Sequence, residues 1–277
     1  MTVMAKLKGT VRDTLPRPAL QMVKRALHSG SGAQCVICGA KVRGLLAQGH
    51  DYPVLRALDV VGGQRKANDE CPICHANDRV RLVYLYVRTE TELLTSRSRL
   101  LHIAPELGLA DIFASTPTLD YVPADLDRQR YRHLENLQSF DLQHSPYPDG
   151  SFDWIICNHV LEHIPDDRRA MREMCRMLKP GGAAILQVPL ARKLAETRED
   201  PTVTDEAERI RLFGQRDHVR LYGIDYYERL RESGFDVTLW NAFDVDAGLA
   251  AAWNLNPDER LTIARRRLDQ HLNPHSS

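Results

Sequence analysis

The sequence predicts an α/β protein: a doubly wound, mostly parallel sheet preceded by a small cysteine-bounded module. Three observations carry this. From Leu100 onward, short apolar runs alternate with amphipathic stretches, the pattern of a parallel sheet with helices on both faces. Two CxxC pairs, Cys35-Val-Ile-Cys38 and Cys71-Pro-Ile-Cys74, bracket a glycine-containing stretch. The run "LKPGG" at 178–182 closes a helix with proline and glycine, as a helix stop should.

Composition narrows the class. A chain of 277 residues is long enough for one large domain, or one domain plus a small module. Lys plus Arg and Asp plus Glu both number 37, so the formal net charge is zero and nothing draws the whole chain to nucleic acid or anionic membrane. The first 28 residues are locally basic. No apolar run approaches the roughly 18 residues needed to span a bilayer. No signal-peptide core is present either, so the expected location is cytoplasmic. Six cysteines in a chain this long do not suggest a disulfide framework.

The elements follow in order. Leu15 to Leu27 has helical apolar spacing with a basic opposite face, suited to docking or to a membrane surface or acidic partner. "HSGSGAQ" reads as a flexible joint. Asp78 to Leu94 reads as a helix with Asp78 as N-cap. Strands are expected at 99–103, 118–122, 137–140, 152–157 and 183–188, with helices near 107–114, 126–135 and 166–178. A charged irregular stretch, 191–222, reads as a substrate-side insertion or lid; a helix at 224–233 and strands at 236–241 and 260–265 follow, the last two antiparallel neighbours. This divides the chain into a basic segment 1–30, a metal-binding module 31–78, a connecting helix 79–98 and a main domain 99–277.

The cysteines carry the first chemistry. Each CxxC turn sets two thiolates at two corners of a tetrahedron, so Cys35, Cys38, Cys71 and Cys74 make a four-sulfur site for structural zinc in a ribbon-like module. An iron–sulfur cluster and unmetallated redox cysteines are the alternatives. A closed four-cysteine site has no open position and serves folding rather than chemistry. His50 and His75 are spare ligands, and Cys157 and Cys175 read as small buried apolar residues.

The second chemistry belongs to the carboxyl ends of the strands, where doubly wound sheets bind ligands. Three features should meet there: the turn 102–108, Asp125 about 20 residues further on, and Asp141 after the third strand. The turn, "HIAPELG", has only Gly108 where a cofactor loop usually has several glycines. The absence of GxGxxG argues against a dinucleotide oxidoreductase. Asp125 also suits a helix N-cap, and Asp141 the start of a turn.

The run "DLQHSPYPDGSFDWIICNHVLEHIPDDRRAMREMCRMLKPGGAAILQVP" gives the chain, from about 99 to 265, a resemblance to class I S-adenosylmethionine-dependent methyltransferases. The resemblance implies a seven-stranded Rossmann-like sheet with an antiparallel last strand, and S-adenosylmethionine as cofactor. Laid in register, His102 takes the family's acidic position, and Ala104, Glu106 and Gly108 take its three glycines; Glu106 is implied to meet the cofactor's amino group. Asp125, with Leu126 beside it, is implied to hold the ribose, Asp141 the adenine amino group and Leu142 the ring edge, while Asn158 and His159 lie beside the methionine part. The cysteine module together with "CPICHANDRVRLVYLYV" and "LLHIAPE" resembles a bacterial subgroup of undefined acceptor.

Methyl transfer needs a base only when the nucleophile must lose a proton. "NHVLEHI" offers His159, Glu162 and His163; the stretch 191–222 adds Glu199, Asp200, Asp217, His218, Arg220 and Tyr222. His218 or His163 is the expected base, and Arg220 suits a substrate carboxylate or phosphate. Three functions are then open. The first is methylation of a small molecule or sugar hydroxyl. The second is methylation of RNA or protein gripped by the zinc module, which the module's slight basic excess does not favour. The third is a silent scaffold that has lost its cofactor.

Overall fold

The computed structural model describes residues 17–131, 134 and 136–268. The expectations for residues 1–16 lie outside this range. The chain begins with helix α1 (Arg17–His28). Strands β1 (Ser29–Gln34), β2 (Lys41–Val42), β3 (Leu46–Gln48), β4 (Val60–Val61) and β5 (Lys66–Glu70), with the short helix α2 (Pro53–Ala57), form the cysteine module. Helix α3 (Asp78–Glu90) leads into β6 (Ser98–Ile103), α4 (Leu107–Ala114), β7 (Leu119–Ala124), β8 (Phe152–Asn158), α5 (Asp167–Met177) and β9 (Leu178–Gln187). Then come β10 (Leu190–Ala191), β11 (Arg198–Glu199), α6 (Glu206–Phe213), β12 (Arg220–Leu221), α7 (Tyr226–Glu232), β13 (Phe235–Trp240), α8 (Ala242–Ala252) and β14 (Leu261–Arg266).

Six strands make the central sheet, in the order β13-β14-β9-β8-β6-β7. β7, β6, β8 and β9 run parallel, while β14 runs antiparallel to both of its neighbours, β9 and β13. Side chains alternate between two cores, as the period of two requires. On one face Leu100, Ile156, Ile185 and Ile263 pack with α3, α4 and α8 through Leu82, Phe113 and Ala250. On the other, Leu101, Ile155, Ala184 and Ala264 pack with α5 and α7 through Met171, Met174 and Leu230. Among the described residues, no helix is long and apolar enough to cross a membrane.

Several expectations are corrected. The seventh strand, 137–140, contributes one bridge only, Gln138 to Ala124. Asn136, at φ 63°, turns the chain immediately ahead of it. Gln138 alone then meets the Asp125 N–H and the Pro123 carbonyl. The helix at 126–135 is replaced, over its described residues, by turns in which Asp125 and Asp127 accept from the backbone at 127 and 130. Asn77, not Asp78, caps α3 by accepting from the Val80 N–H. The joint "HSGSGAQ" is strand β1, paired with β2. Its glycines allow this: a Cβ on Gly30 would lie 2.8 Å from the Arg43 Cα. The irregular stretch 191–222 is ordered as β10, β11, α6 and β12, and β10 pairs with β4 of the module.

Module and sheet are one body. Cys35, Cys71 and Cys74 share a core with Leu85, Leu100 and Leu109. Buried Arg81 donates to the Asp69 carboxylate at 2.8 Å and to carbonyls of Asp69, Ala76, Trp253 and Asn254. One guanidinium thus ties the second CxxC turn to the C-terminal end of α8.

Candidate functional site

The two CxxC turns are built alike. In each, the first cysteine's carbonyl accepts from the fifth residue of the turn (Gly39 in one, His75 in the other), and both of those residues have positive φ. Cys35 Sγ lies 3.6 Å from Cys74 Sγ and Cys38 Sγ 3.8 Å from Cys71 Sγ. A tetrahedral zinc with bonds near 2.3 Å places its sulfurs about 3.8 Å apart. The four thiols therefore fit such an ion, and the cluster can hold a metal.

The strand-1 turn is built on a network, not on glycines. Ala104 takes φ 49°, so the chain turns where the family has glycine. His102 is fully buried, with Nε2 2.7 Å from Glu106 Oε2 and Nδ1 3.2 Å from the Tyr121 hydroxyl. Glu106 Oε1 accepts from Asn158 Nδ2 at 3.1 Å and faces Arg79 Nε at 3.9 Å. Burial opposes the charge on Glu106, but the bond to His102, with Arg79 and Asn158, outweighs it and holds the carboxyl below its usual range. His102, Ala104, Glu106 and Asn158 thus gather at the ends of adjacent strands β6 and β8.

Asp125 follows β7, the other neighbour of β6. Its Oδ1 accepts from the Asp127 N–H at 2.7 Å, and burial pushes its carboxyl up. Leu126 beside it is 68% exposed. Asp141 caps the turn Leu142–His144 by accepting from the Gln143 N–H at 2.9 Å, while Leu142 is buried. Gly108 is turned away from this edge: a Cβ there would lie 2.7 Å from Ile37 Cγ2 of the cysteine module. The close approach it permits is to protein. Gly108→Val is accordingly expected to cost about 1–3 kcal/mol by overpacking, read as a lower urea midpoint.

Two expected catalytic residues are corrected. Arg220 is buried; its guanidinium donates to the carbonyls of Leu161 at 2.9 Å, Ile164, and Pro165 at 2.8 Å, and to Glu199 at 2.9 Å. Four of its five N–H donors are thus held by protein acceptors, and the buried side chain is set to brace the turn rather than to meet a substrate anion. Tyr222 is fully buried and donates its hydroxyl to Asp167 at 2.7 Å. Arg220 braces the 161–165 turn, and Tyr222 the first residue of α5. His159, at φ 53°, is half-buried after β8, and desolvation holds its imidazole neutral. His163 and His218 meet edge to face at 4.8 Å. Burial pushes the Glu162 carboxyl up to about 8.

Two contributors escaped the sequence reading. Arg79, in the first turn of α3, faces Glu106, and its charge also acts on Glu162, His159 and Glu259. The module's inner loop reaches the same edge: a Cβ on Gly62 would lie 3.2 Å from His159 Cε1, and Asp59 pairs with Arg192. A basic residue in a module with several others gave no signal. The loop's destination is a matter of tertiary docking.

A doubly wound sheet with its last strand reversed, and with polar side chains ringed about the ends of β7, β6 and β8, is the architecture of class I S-adenosylmethionine-dependent methyltransferases. Comparison with known proteins agrees. A methyltransferase-domain family matches residues 85–239, more than half of the chain, and the chain belongs to that family. A ubiquinone biosynthesis O-methyltransferase of Xanthomonas oryzae pv. oryzae is 31% identical over 123 residues, 40% of this chain and 50% of that protein. The 27-O-demethylrifamycin SV methyltransferase of Amycolatopsis mediterranei is 31% identical over 137 residues, 48% of this chain and 46% of that protein. The methyltransferase GfsG of Streptomyces halstedii is 49% identical over 59 residues, 20% and 21% respectively. The chain spans half or less of the length of each of these relatives.

Proposed function

We propose that the chain transfers a methyl group from S-adenosylmethionine to a hydroxyl of a small-molecule acceptor. The observation that carries this reading is the set Glu106, Asn158 and Asp125 at the ends of three neighbouring strands. The residues suit the cofactor. Glu106 is ionised and partly exposed, matched to an amino group. Asn158 Oδ1 is buried without a hydrogen-bond partner, and Asp125 keeps one carboxylate oxygen free of the bonds its turn makes, matched to ribose hydroxyls. When bound, the cofactor supplies an electrophilic methyl on a sulfonium. The chain's residues then have mainly to position the acceptor and exclude water. The ubiquinone-biosynthesis and rifamycin relatives are named for O-methylation, which supports oxygen as the acceptor atom. We also assign zinc to Cys35, Cys38, Cys71 and Cys74, on the spacing of their sulfurs.

The test is calorimetric titration of the zinc-replete protein with S-adenosylmethionine and S-adenosylhomocysteine. Micromolar binding is expected, and Asp125→Ala should weaken it about tenfold to a hundredfold, the worth of a hydrogen bond to a charged group. No binding by the folded protein would overturn the reading.

A further inference from the structure

Next to the cofactor edge, three side chains converge on one point. Glu162, His163 and His218 each offer a ligand atom, and these atoms lie within 4.8 Å of one another. Two come from the 3-10 turn Leu161–His163 after β8, and the third from the segment between α6 and β12. The Val219 N–H donates to the Glu162 carbonyl at 2.9 Å and holds the segments together. Glu162 is 1% exposed, and neither of its carboxylate oxygens has a hydrogen-bond partner. A bare buried carboxylate is costly and calls for a proton or a cation.

The histidines are prepared as ligands. His218 Nδ1 lies 3.3 Å from the Phe213 carbonyl, which fixes the ring proton there. Its Nε2 keeps a lone pair and lies 4.0 Å from Glu162 Oε1, too far for a hydrogen bond and near the separation of two ligands across a metal. His163 Nδ1 is 3.2 Å from the Asp217 carbonyl, with the Asp217 carboxylate at 3.6 Å, again leaving Nε2 free. One ring nitrogen tied to a carbonyl and the other left open is how metal-bound imidazoles are oriented.

We propose that Glu162, His163 and His218 bind a divalent transition-metal cation just beyond the carboxyl end of β8, and that this cation receives the acceptor through a hydroxyl oxygen. Two imidazoles and one carboxylate suit zinc, iron, cobalt or manganese rather than calcium or magnesium, which take oxygen ligands. Three protein ligands leave positions open, in contrast to the closed four-cysteine cluster. His159 and Gly62 of the module's inner loop bound the site on its other side. His159 Nδ1 lies 3.5 Å from Glu162 Oε1, and its Nε2 is buried without a partner. A hydroxyl bound to the cation loses its proton to water more readily, which is how a metal prepares an oxygen nucleophile. The acceptor's role rests on the methyltransferase reading; the metal site does not.

Full-length protein, passed over a chelating resin with its cysteine-bound zinc retained, is titrated with Co2+ and followed by visible absorption. One equivalent of Co2+ is expected, without the thiolate charge-transfer band that cysteine ligation gives. Glu162→Gln and His218→Ala should each weaken it at least about tenfold, with S-adenosylhomocysteine binding kept as the sign of a folded chain. No Co2+ uptake outside the cysteine cluster, or uptake unchanged in both variants, overturns the metal site while leaving the methyltransferase reading standing. Co2+ uptake by a protein that binds neither S-adenosylmethionine nor its demethylated form keeps the site and removes its acceptor role.

Discussion

Stripping the zinc proposed for the cysteine cluster, or replacing Cys71 by serine, is expected to unfold the whole chain and not the module alone. Zinc held by four thiolates contributes on the order of 10 kcal/mol to folding in small modules, as much as the entire stability of a typical domain. The four cysteines cannot lose it locally. Cys35, Cys71 and Cys74 lie in one core with Leu85, Leu100, Leu109 and Phe113, which line the sheet's α3–α4 face. β4 of the module pairs with β10 of the main domain, and Arg81 bridges the second CxxC turn to Trp253 and Asn254. Thermal unfolding followed by circular dichroism should therefore show one transition, displaced far downward by a strong chelator and by Cys71→Ser. A second transition surviving at the original temperature would mean that the sheet folds without the module.

Arg220→Ala is expected to destabilise the protein by about 3–5 kcal/mol, the cost of removing one partner from a buried ion pair. Its guanidinium meets three carbonyls of the 161–165 turn and the Glu199 carboxylate. Asp167 lies 3.7 Å from it, in contact also with Arg229 and the Tyr222 hydroxyl. Removing Arg220 strands acceptors on three sides. Arg220→Lys should recover little, because one ammonium cannot reproduce the planar fork. Urea denaturation measures the loss. A residue holding a substrate anion would behave differently, with stability kept and KM raised.

Much of this was legible in the chain itself. Periodicity placed α4 at 107–114, as observed, and placed β6, β8, α5 and the antiparallel final pair within a few residues, because these segments are buried on regular faces. It failed at 137–140, where a single bridge replaces a strand, and in the stretch 191–222, whose charged side chains hide short paired elements. The CxxC spacing was readable because chelation is local: two thiols three residues apart meet whatever the rest of the chain does. The fate of individual charged residues was not. Arg220 and Tyr222, named by type and position as reactive, are structural pins. Arg79, one of the module's several basic residues and singled out by no local pattern, faces the cofactor edge.

The sequence by itself determined the doubly wound class, the cysteine cluster and the family, since all three rest on short-range pattern: alternation, turn chemistry and an ordered motif. Tertiary structure alone decided that module and sheet share one core, that the inner loop at Gly62 closes over His159, and that His218 comes to Glu162 and His163 from 55 residues further along the chain. Burial sets the protonation and partners of such groups, and burial depends on which segments dock together, a contact between residues far apart that no local spacing records.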